Sequence, residues 1–239
     1  MLEVKNLEKR FGDFVAVKGV SFSVKAGEVL GFLGPNGAGK STTMRMITGF
    51  LPPTSGTAVI DGHDIVADPI AAKRELGYLP ESAPSYRAMT VRDYLHFIAS
   101  VRHDACPDVK KAVADVLVKA KLENVAGQTI ETLSKGYRQR TAFAAAIIHD
   151  PKVLIMDEPT DGLDPNQKYT VREMIKSMAA EGKAIIISTH ILEDVDAVCT
   201  KVVVIADGEK KFDGSPDELK AKDPSGRLDV VFRNMTMKA

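Results

Sequence analysis

Three segments of the chain are continuous apolar runs, and each is followed by a loop and then by a segment with helical spacing. The runs are "EVLGFLG" at residues 28–34, "KVLIMDEP" at residues 152–159 and "KAIIISTH" at residues 183–190. Apolar runs without alternation, rich in β-branched residues, are typical of strands buried on both faces of a parallel sheet. The repeated order of strand and helix therefore predicts an α/β fold with a mostly parallel sheet. In such folds, ligands bind in the crevice at the carboxyl ends of the strands.

A different pattern covers the N-terminal part of the chain. Between residues 2 and 24, short stretches alternate apolar and polar positions and are broken at Gly12 and Gly19. A similar stretch, "TSGTAVIDGHDI", follows at residues 54–65. Alternation with a period of two, bounded by glycine, predicts half-buried antiparallel strands. We expect these strands to form an antiparallel β subdomain beside the parallel core.

Residues 82–150 have the periodicity of helices. Thr90 and Asp93 form a capping pair ahead of one helical segment, and Asp108 precedes a second one. The first segment has apolar residues at helical spacing, namely Val91, Tyr94, Leu95, Ile98 and Val101. An insertion of this size is too long to be a plain loop, so it predicts a helical subdomain set into the α/β core.

These patterns together predict a single domain over residues 1–239. Residues 1–81 and 151–220 would form the β subdomain and the core, and residues 82–150 the helical subdomain. Residues 221–239 would form a short tail, which begins with the polar stretch "AKDPSGR", a candidate for a flexible connector.

Composition and charge limit which partners and which cellular compartment we expect for the protein. The 32 Lys and Arg residues balance the 32 Asp and Glu residues, so net charge gives no reason to expect a nucleic-acid partner. The longest apolar runs fall well short of the roughly 18 residues that indicate a membrane span, and the start "MLEVKNLEKRFG" has no secretory pattern. Cys106 and Cys199 have no metal-type spacing and are interpreted as reduced thiols. We expect a cytosolic protein.

A phosphate-binding pattern follows the first apolar run. The stretch "GPNGAGKST" matches G-x-x-x-x-G-K-[ST] between a predicted strand and a predicted helix. Its glycines let backbone N–H groups turn toward an anion at the positive end of the helix, Lys40 would reach the β- and γ-phosphates, and the Ser41 hydroxyl would bind Mg²⁺. A chance glycine-rich turn is the alternative, which the strand-loop-helix context disfavours. The predicted nucleotide-binding residues of this loop are Gly34, Asn36, Gly37, Ala38, Gly39, Lys40, Ser41 and Thr42.

Two carboxylates close the second apolar run. Asp157 and Glu158 end "VLIMDEP" and would reach the same crevice edge as the glycine-rich loop. We expect Asp157 to hold the Mg²⁺ shell and Glu158 to accept a hydrogen bond from the attacking water. Two acidic residues after a strand are more often simply solvent-exposed residues at the strand end. The phosphate-binding loop earlier in the chain favours the alternative that they bind Mg²⁺ and water.

Several motifs follow one another in a fixed order along the chain: residues 34–42, Glu81, "LSKGYRQR" at residues 133–140, Asp157 with Glu158, "TDGLD" at residues 160–164, and His190. In this order and spacing they resemble the nucleotide-binding subunit of ATP-binding cassette (ABC) transporters over nearly the full chain. The resemblance implies a P-loop NTPase core with an N-terminal antiparallel β subdomain and an inserted helical subdomain. It also implies ATP hydrolysis with Mg²⁺.

The resemblance carries further site residues onto this chain. Phe11 would stack on adenine, where the family most often has Tyr, and His190 would bind the γ-phosphate and orient the attack. Ser134 and Gly136 would contact ATP, and Asp164 matches a further nucleotide-site position of the family. The alternatives are that Phe11 is a core aromatic of an edge strand and that His190 is a structural histidine at a strand end.

Besides Phe11, four positions depart from the usual family pattern. Glu81 stands where Gln is usual and would still offer an oxygen to Mg²⁺ while adding a negative charge. Lys135 and Tyr137 replace a Gly and a Gln of the best-known signature segment, and Asp161 replaces a Ser. Ser134 and Gly136 retain the hydroxyl and backbone groups that such a segment aims at phosphate.

The branch of the family that the chain resembles includes gliding-motility, antibiotic-efflux and copper-related exporters. This implies a dimer, with a second copy or a paralogous ATPase subunit, in which each ATP lies between residues 34–42 of one subunit and residues 133–136 of the other. It also implies a separate integral membrane permease that contacts the helical subdomain and the Glu81 loop, with the chain peripheral on the inner face of the cell membrane. Two alternatives remain: a soluble ABC ATPase in assembly, translation or repair, and a non-hydrolysing ATP switch.

Overall fold

A computed structural model of the protein describes residues 1–82, 85–102 and 104–236. Residues 83, 84 and 103 of the predicted helical subdomain and residues 237–239 of the predicted tail lie outside the described residues. The strands of the described part are β1 (Leu2–Phe11), β2 (Phe14–Val24), β3 (Val29–Leu33), β4 (Ser55–Ile60), β5 (His63–Asp64), β6 (Leu76–Leu79), β7 (Val153–Asp157), β8 (Ala184–Thr189), β9 (Lys201–Ala206) and β10 (Glu209–Gly214). Its α-helices are α1 (Lys40–Ile47), α2 (Pro69–Arg74), α3 (Val91–Val101), α4 (Val109–Lys119), α5 (Lys135–Ile147), α6 (Pro165–Ala180), α7 (Leu192–Val198), α8 (Pro216–Lys220) and α9 (Leu228–Thr236).

The core of the fold is a six-stranded sheet with the strand order β10-β9-β3-β8-β7-β6. Strands β9, β3, β8, β7 and β6 run parallel, and β10 pairs with β9 in the antiparallel sense. Every residue of β3, β7 and β8 is buried, because apolar cores lie on both faces of the sheet. Leu154 and Met156 face the core shared with the helices, whereas Val153 and Ile155 face the core shared with α1 and the second sheet. The predicted buried strands and the mostly parallel sheet are confirmed.

The second sheet is four-stranded and antiparallel, with the order β2-β1-β4-β5. Leu2, Val4 and Leu7 of its first strand are buried, and the alternation shifts by one residue where the pairing with β2 is irregular between Val4 and Leu7. Helix α1 lies between the two sheets and contacts strands of both, which places the helix that follows the glycine-rich loop at the centre of the molecule. The predicted N-terminal antiparallel β subdomain is confirmed.

Helices α3, α4 and α5 form the inserted helical layer and share an apolar core with β7 and β8. The predicted caps are present, since Thr90 Oγ1 accepts from the Asp93 N–H at 3.1 Å and the Asp108 carboxylate accepts from the Lys111 N–H at 2.9 Å. Leu95 of α3 is fully buried. The helical periodicity of this segment therefore predicted the helices, but Val101, at the end of the predicted apolar face of α3, is 65% exposed because it lies at the last turn of the helix, outside the core.

The described part of the C-terminal tail ends in a helix that packs on the sheet. Leu228 and Val231 of α9 are buried against Val204 of β9 and Leu219 of α8. Along residues 1–82, 85–102 and 104–236, no helix combines the length and apolar character needed to cross a bilayer.

Candidate nucleotide site

Four neighbouring parallel strands end at one edge of the core sheet, and a predicted functional residue follows each of them. In sheet order these are Gly34 after β3, His190 after β8, Glu158 after β7 and Glu81 two residues after β6. The register pairs Leu33 with Thr189 and Asp157 with Ser188, so the three strands end level with one another. The topology therefore brings the phosphate loop, both predicted catalytic residues and the predicted metal ligands to a single crevice edge.

The glycine-rich loop after β3 has a backbone that only glycine adopts at low cost. Gly37 and Gly39 have φ of 80° and 103°. A Cβ at Gly39 would lie 2.7 Å from the Ala16 carbonyl oxygen, and one at Gly34 would overlap the Ile205 carbonyl oxygen. Helix α1 begins directly after Gly39 without a side-chain cap or an acidic residue in its first turn. Its free N–H groups and positive end are thus available to an anion held by this loop.

Lys40 lies inside the loop that precedes it. Its ammonium donates hydrogen bonds to the carbonyl oxygens of Gly34 at 2.7 Å and Pro35 at 3.2 Å, and the residue is only 8% exposed. Burial lowers the pKa of Lys40. Three nearby carboxylates partly oppose this effect: Glu158, Asp157 and Glu81. The loop thus encloses a cation that faces the acidic residues of the neighbouring strands.

The predicted magnesium ligands have the chemistry that this ion requires. Asp157 ends β7 and is 4% exposed, so its carboxyl oxygens lie in the interior of the crevice, on the side that the Lys40 ammonium faces. Ser41 is half-buried in the first turn of α1, and Glu81 is exposed after β6. Hydroxyl and carboxylate oxygens are hard ligands of the type that Mg²⁺ prefers, so these residues fit the ion.

The two predicted catalytic residues are in direct contact. His190 Nδ1 lies 2.9 Å from Glu158 Oε1, and Thr189 Oγ1 donates to Glu158 Oε2 at 3.4 Å. The Glu158 side chain is 10% exposed, whereas that of His190 is 53% exposed at the mouth of the crevice. Glu158 has a backbone φ of 50°, a conformation that costs a non-glycine residue about 1–3 kcal/mol, and its N–H donates to Ser188 O at 2.9 Å. The fold therefore holds a strained backbone at the residue predicted to act on water.

Phe11 lies at the tip of the hairpin between β1 and β2. It pairs directly across the hairpin with Phe14, and it is 50% exposed, so it is not a core aromatic. The Lys9 ammonium lies 5.3 Å from the centroid of its ring. An aromatic surface is thus available to a planar ligand at this tip.

A third group of predicted residues surrounds the start of α5. Ser134 caps this helix by accepting from the Tyr137 N–H at 3.4 Å, and Asp164 caps α6 by accepting from the Gln167 N–H at 2.9 Å. Gly136 is buried under α6, where an added Cβ would overlap the Gln167 side chain. The signature segment, residues 133–140, therefore packs closely against the Gln167 side chain of the helix that follows the 160–164 loop.

Lys135 and Tyr137, the two residues of the signature segment that differ from the usual family pattern, contact other side chains of the chain. The Lys135 ammonium lies over Gly162 and 3.9 Å from the carboxylate of Asp161, so two of the departures from the family pattern form one ion pair. The Tyr137 hydroxyl accepts from Asn124 Nδ2 at 3.1 Å, and the Arg140 guanidinium lies 4.2 Å from the Tyr137 ring centroid. Both substitutions are thus tied into the local structure.

Two residues near the site were not found from the sequence. Thr189 contacts Glu158 as described above and also accepts from the Ile191 N–H at 3.0 Å, which fixes the turn that carries His190. Gln139 of α5 donates from Nε2 to Pro159 O at 3.1 Å and so connects the signature helix to the chain after Glu158. The position of Thr189 at a strand end was a usable signal, whereas the Gln139 contact joins segments far apart in sequence.

Comparisons with known proteins agree on one family. Residues 17–161 match the protein family described as ABC transporter. The chain is 38% identical over 218 residues to Nod factor export ATP-binding protein I of Burkholderia orbicola (strain AU 1054), covering 91% of this chain and 72% of that one. It is 37% identical over 219 residues to linearmycin resistance ATP-binding protein LnrL of Bacillus subtilis (strain 168), covering 92% and 70%. A solved structure of the ATP-binding subunit of an ABC transporter superposes with a TM-score of 0.88 at 29% identity, covering 99% of this chain and 100% of that one.

Proposed function

Since this chain belongs to the ABC transporter family and is an ATPase, we propose that it is the motor subunit of an exporter, dimerising around two ATP molecules to drive a separate membrane permease. The observation that carries the proposal is the contact between Glu158 and His190, 2.9 Å apart, at the sheet edge that also holds the glycine-rich loop. The names of the relatives, which refer to Nod factor export and to linearmycin resistance, favour export over import.

In the proposed mechanism, each side of the crevice has a separate task. The backbone N–H groups of residues 34–42 and the Lys40 ammonium bind the phosphates, while Phe11 stacks on the base. Glu158 accepts a hydrogen bond from the attacking water, and His190 binds the γ-phosphate. Ser41, Asp157 and Glu81 would hold Mg²⁺, and the bound ion would neutralise phosphate charge.

The start of α5 supports the proposal of a dimer. Ser134 and Lys135 are exposed there, and the first turn of this 13-residue helix contains no acidic residue. The positive end of the helix suits the triphosphate held by another subunit, and the Lys135 ammonium, which pairs with Asp161 at 3.9 Å in this chain, is exposed beside it. A symmetric pair of chains would place two such surfaces over two phosphate loops.

Dimerisation is tested with a variant that holds ATP without cleaving it. In light scattering, we expect the Glu158→Gln variant in Mg²⁺-ATP to have twice the mass of the nucleotide-free chain, which is 25.8 kDa. The dimer should accumulate because this variant does not hydrolyse the ATP that holds the two subunits together. Adding Ser134→Asp retains a good N-cap but places a negative charge against the partner's phosphates, so the ATP-dependent dimer should disappear. Ser215→Asp makes the same change at the cap of α8 and should leave the dimer intact. A chain that stays monomeric in ATP contradicts the proposal.

An exposed apolar groove supports the proposal of a membrane permease. The groove has a volume of about 570 Å³ and lies between the helical layer and the core. Phe50, Ile70 and Val101 line it with side chains that are 77%, 70% and 65% exposed. Exposed apolar side chains that lie together on one surface in this way mark an interaction site. We infer that a cytoplasmic helix of the permease occupies it, which would hold the chain on the inner face of the membrane.

The groove is connected to the nucleotide site through β6. Tyr78 of this strand lines the groove, and burial, together with the charges of Asp157 and Glu81, raises the pKa of Tyr78 to about 12. The Tyr78 side chain is therefore close to the proposed magnesium ligands on one side and to the proposed permease on the other. A shift of β6, or of the loop that carries Glu81, would therefore change the geometry both of the proposed magnesium ligands and of the groove.

Membrane attachment through this groove is tested by a pair of charge substitutions. Phe50→Glu with Ile70→Glu should lower the membrane-bound fraction of the chain in its native cells by about tenfold or more, because two exposed apolar anchors become charged. Tyr169→Glu, which changes an aromatic side chain that is 65% exposed on α6, is the matched control and should remain bound. The ATPase rate of each purified chain should stay within about twofold of the unsubstituted one. A wild-type chain found only in the soluble fraction would favour a role in assembly or repair.

A further inference from the structure

A cluster of three polar side chains lies in the segments next to the catalytic pair; two of its members are buried, and the third, Arg172, is 21% exposed. The Asp194 carboxylate is 1% exposed, and its Oδ1 accepts from Arg172 Nε at 2.8 Å and also from Arg172 Nη2. Its second oxygen, Oδ2, accepts from the hydroxyl of Thr160, which is itself 1% exposed. One carboxylate thus joins a guanidinium and a hydroxyl inside the protein.

The three residues come from the segments that carry the catalytic side chains. Thr160 follows Glu158 by two residues, and Asp194 follows His190 by four residues on α7. Arg172 lies on α6, the helix that begins as soon as the 160–164 loop ends. Because Glu158 and His190 follow different strands, their contact depends on how the chain after β7 is held against the chain after β8.

The chemistry of the cluster indicates a role in orientation. A buried ion pair is a weak source of stability, because the cost of removing both charges from water offsets much of their attraction. It does, however, fix geometry, since the planar guanidinium donates to the carboxylate in few orientations and the second oxygen is left for a single hydroxyl. Displacing any member would leave a buried charge or donor without its partner.

We propose that Asp194 and Thr160 are positioning residues of the ATPase, which hold the 158–164 loop and the turn after β8 in the register that keeps Glu158 and His190 in contact. The inference rests on the roles proposed above for these two residues. It goes beyond them in assigning a task to side chains that do not touch ATP. Arg172 completes the cluster by keeping the carboxylate of Asp194 turned toward Thr160.

The test isolates the hydroxyl of Thr160. Thr160→Val keeps the shape of the side chain and leaves the Asp194 pair with Arg172 in place, so the chain should fold. We expect the single-turnover rate of ATP cleavage to fall by about tenfold or more, because small displacements of catalytic groups have large effects on rate, while ATP affinity changes by less than about twofold. Thr160→Ser restores the hydroxyl and should recover most of the rate.

A double-mutant cycle separates positioning from a general structural effect. In a His190→Ala background the contact with Glu158 no longer exists, so adding Thr160→Val should change the residual rate by less than about twofold. Thr141→Val removes another buried threonine hydroxyl, which bonds to Tyr137 O at 2.8 Å, and should leave the rate unchanged. Equal losses from Thr160→Val in both backgrounds, or no loss in either, overturn the inference. An undiminished rate in His190→Ala alone contradicts the proposed role of His190 and the inference with it.

Discussion

Glu158→Gln is expected to lower the rate of ATP hydrolysis by about 10²- to 10⁴-fold, the range of a general base. The amide keeps the size of the side chain and can still contact His190, but it cannot take a proton from water. The carboxylate that it replaces is 10% exposed and is oriented by Thr189 and His190, so no bulk solvent base can easily take its place. Phosphate release measured at saturating Mg²⁺-ATP gives the rate.

The matched control for this substitution is Glu193→Gln. Glu193 is an exposed carboxylate three residues after His190, so the same change removes a charge near the site without touching the proposed base. Hydrolysis should stay within about twofold of the unsubstituted chain, and the ATP affinity of both variants should be preserved within the same limit. If Glu158→Gln retained more than about a tenth of the activity, another group would have to serve as the base.

Lys40→Met is expected to weaken ATP binding by about 10- to 100-fold, the loss that corresponds to hydrogen bonds made by one charged group. The Lys40 ammonium is 8% exposed and already lies within the phosphate loop, bonded to Gly34 O and Pro35 O. Met fills a similar volume but removes the positive charge that faces Asp157 and Glu158. The repulsion between these two side chains and a bound triphosphate then becomes stronger, which lowers the affinity for ATP. Calorimetric titration with Mg²⁺-ATP measures the affinity.

Lys176→Met is a suitable control for the loss of one positive charge. This lysine is 51% exposed on α6, and its partner is Glu173 of the same helix, at 3.1 Å. Such surface pairs contribute little, so neither affinity nor folding should change measurably. An affinity of Lys40→Met within about threefold of the original would contradict the assignment of Lys40 to the phosphates.

Much of the fold could be predicted because its signals are local and strong. The runs that became β3, β7 and β8 are apolar throughout, which is the pattern of strands covered on both faces. The strands β6, β9 and β10 were not predicted. The four-residue "LGYL" of β6 is too short to show a period, although "KVVVIA" of β9 has the composition of a buried strand.

The candidate site was predictable as a set of residues but not as a geometry. Glycine spacing, a lysine and a strand-end acidic pair are local features with direct chemical meaning, and residues 34–42, Asp157 and Glu158 follow from them. The order β3-β8-β7-β6 is a property of the whole sheet, and it alone places Glu81, Glu158 and His190 at neighbouring strand ends. Strand order depends on long-range packing, which no short window of sequence contains.

The sequence by itself determined which chemistry the chain carries, because a glycine that permits a turn and a carboxylate that ends a strand act through their own covalent structure. Only the tertiary structure decided which side chains meet. It paired Lys135 with Asp161, buried Gly136 under Gln167 and joined Thr160 to Asp194 across 34 residues of chain. These contacts arise because two helices and the loop between two strands pack against one sheet edge, which brings together side chains that are far apart in sequence.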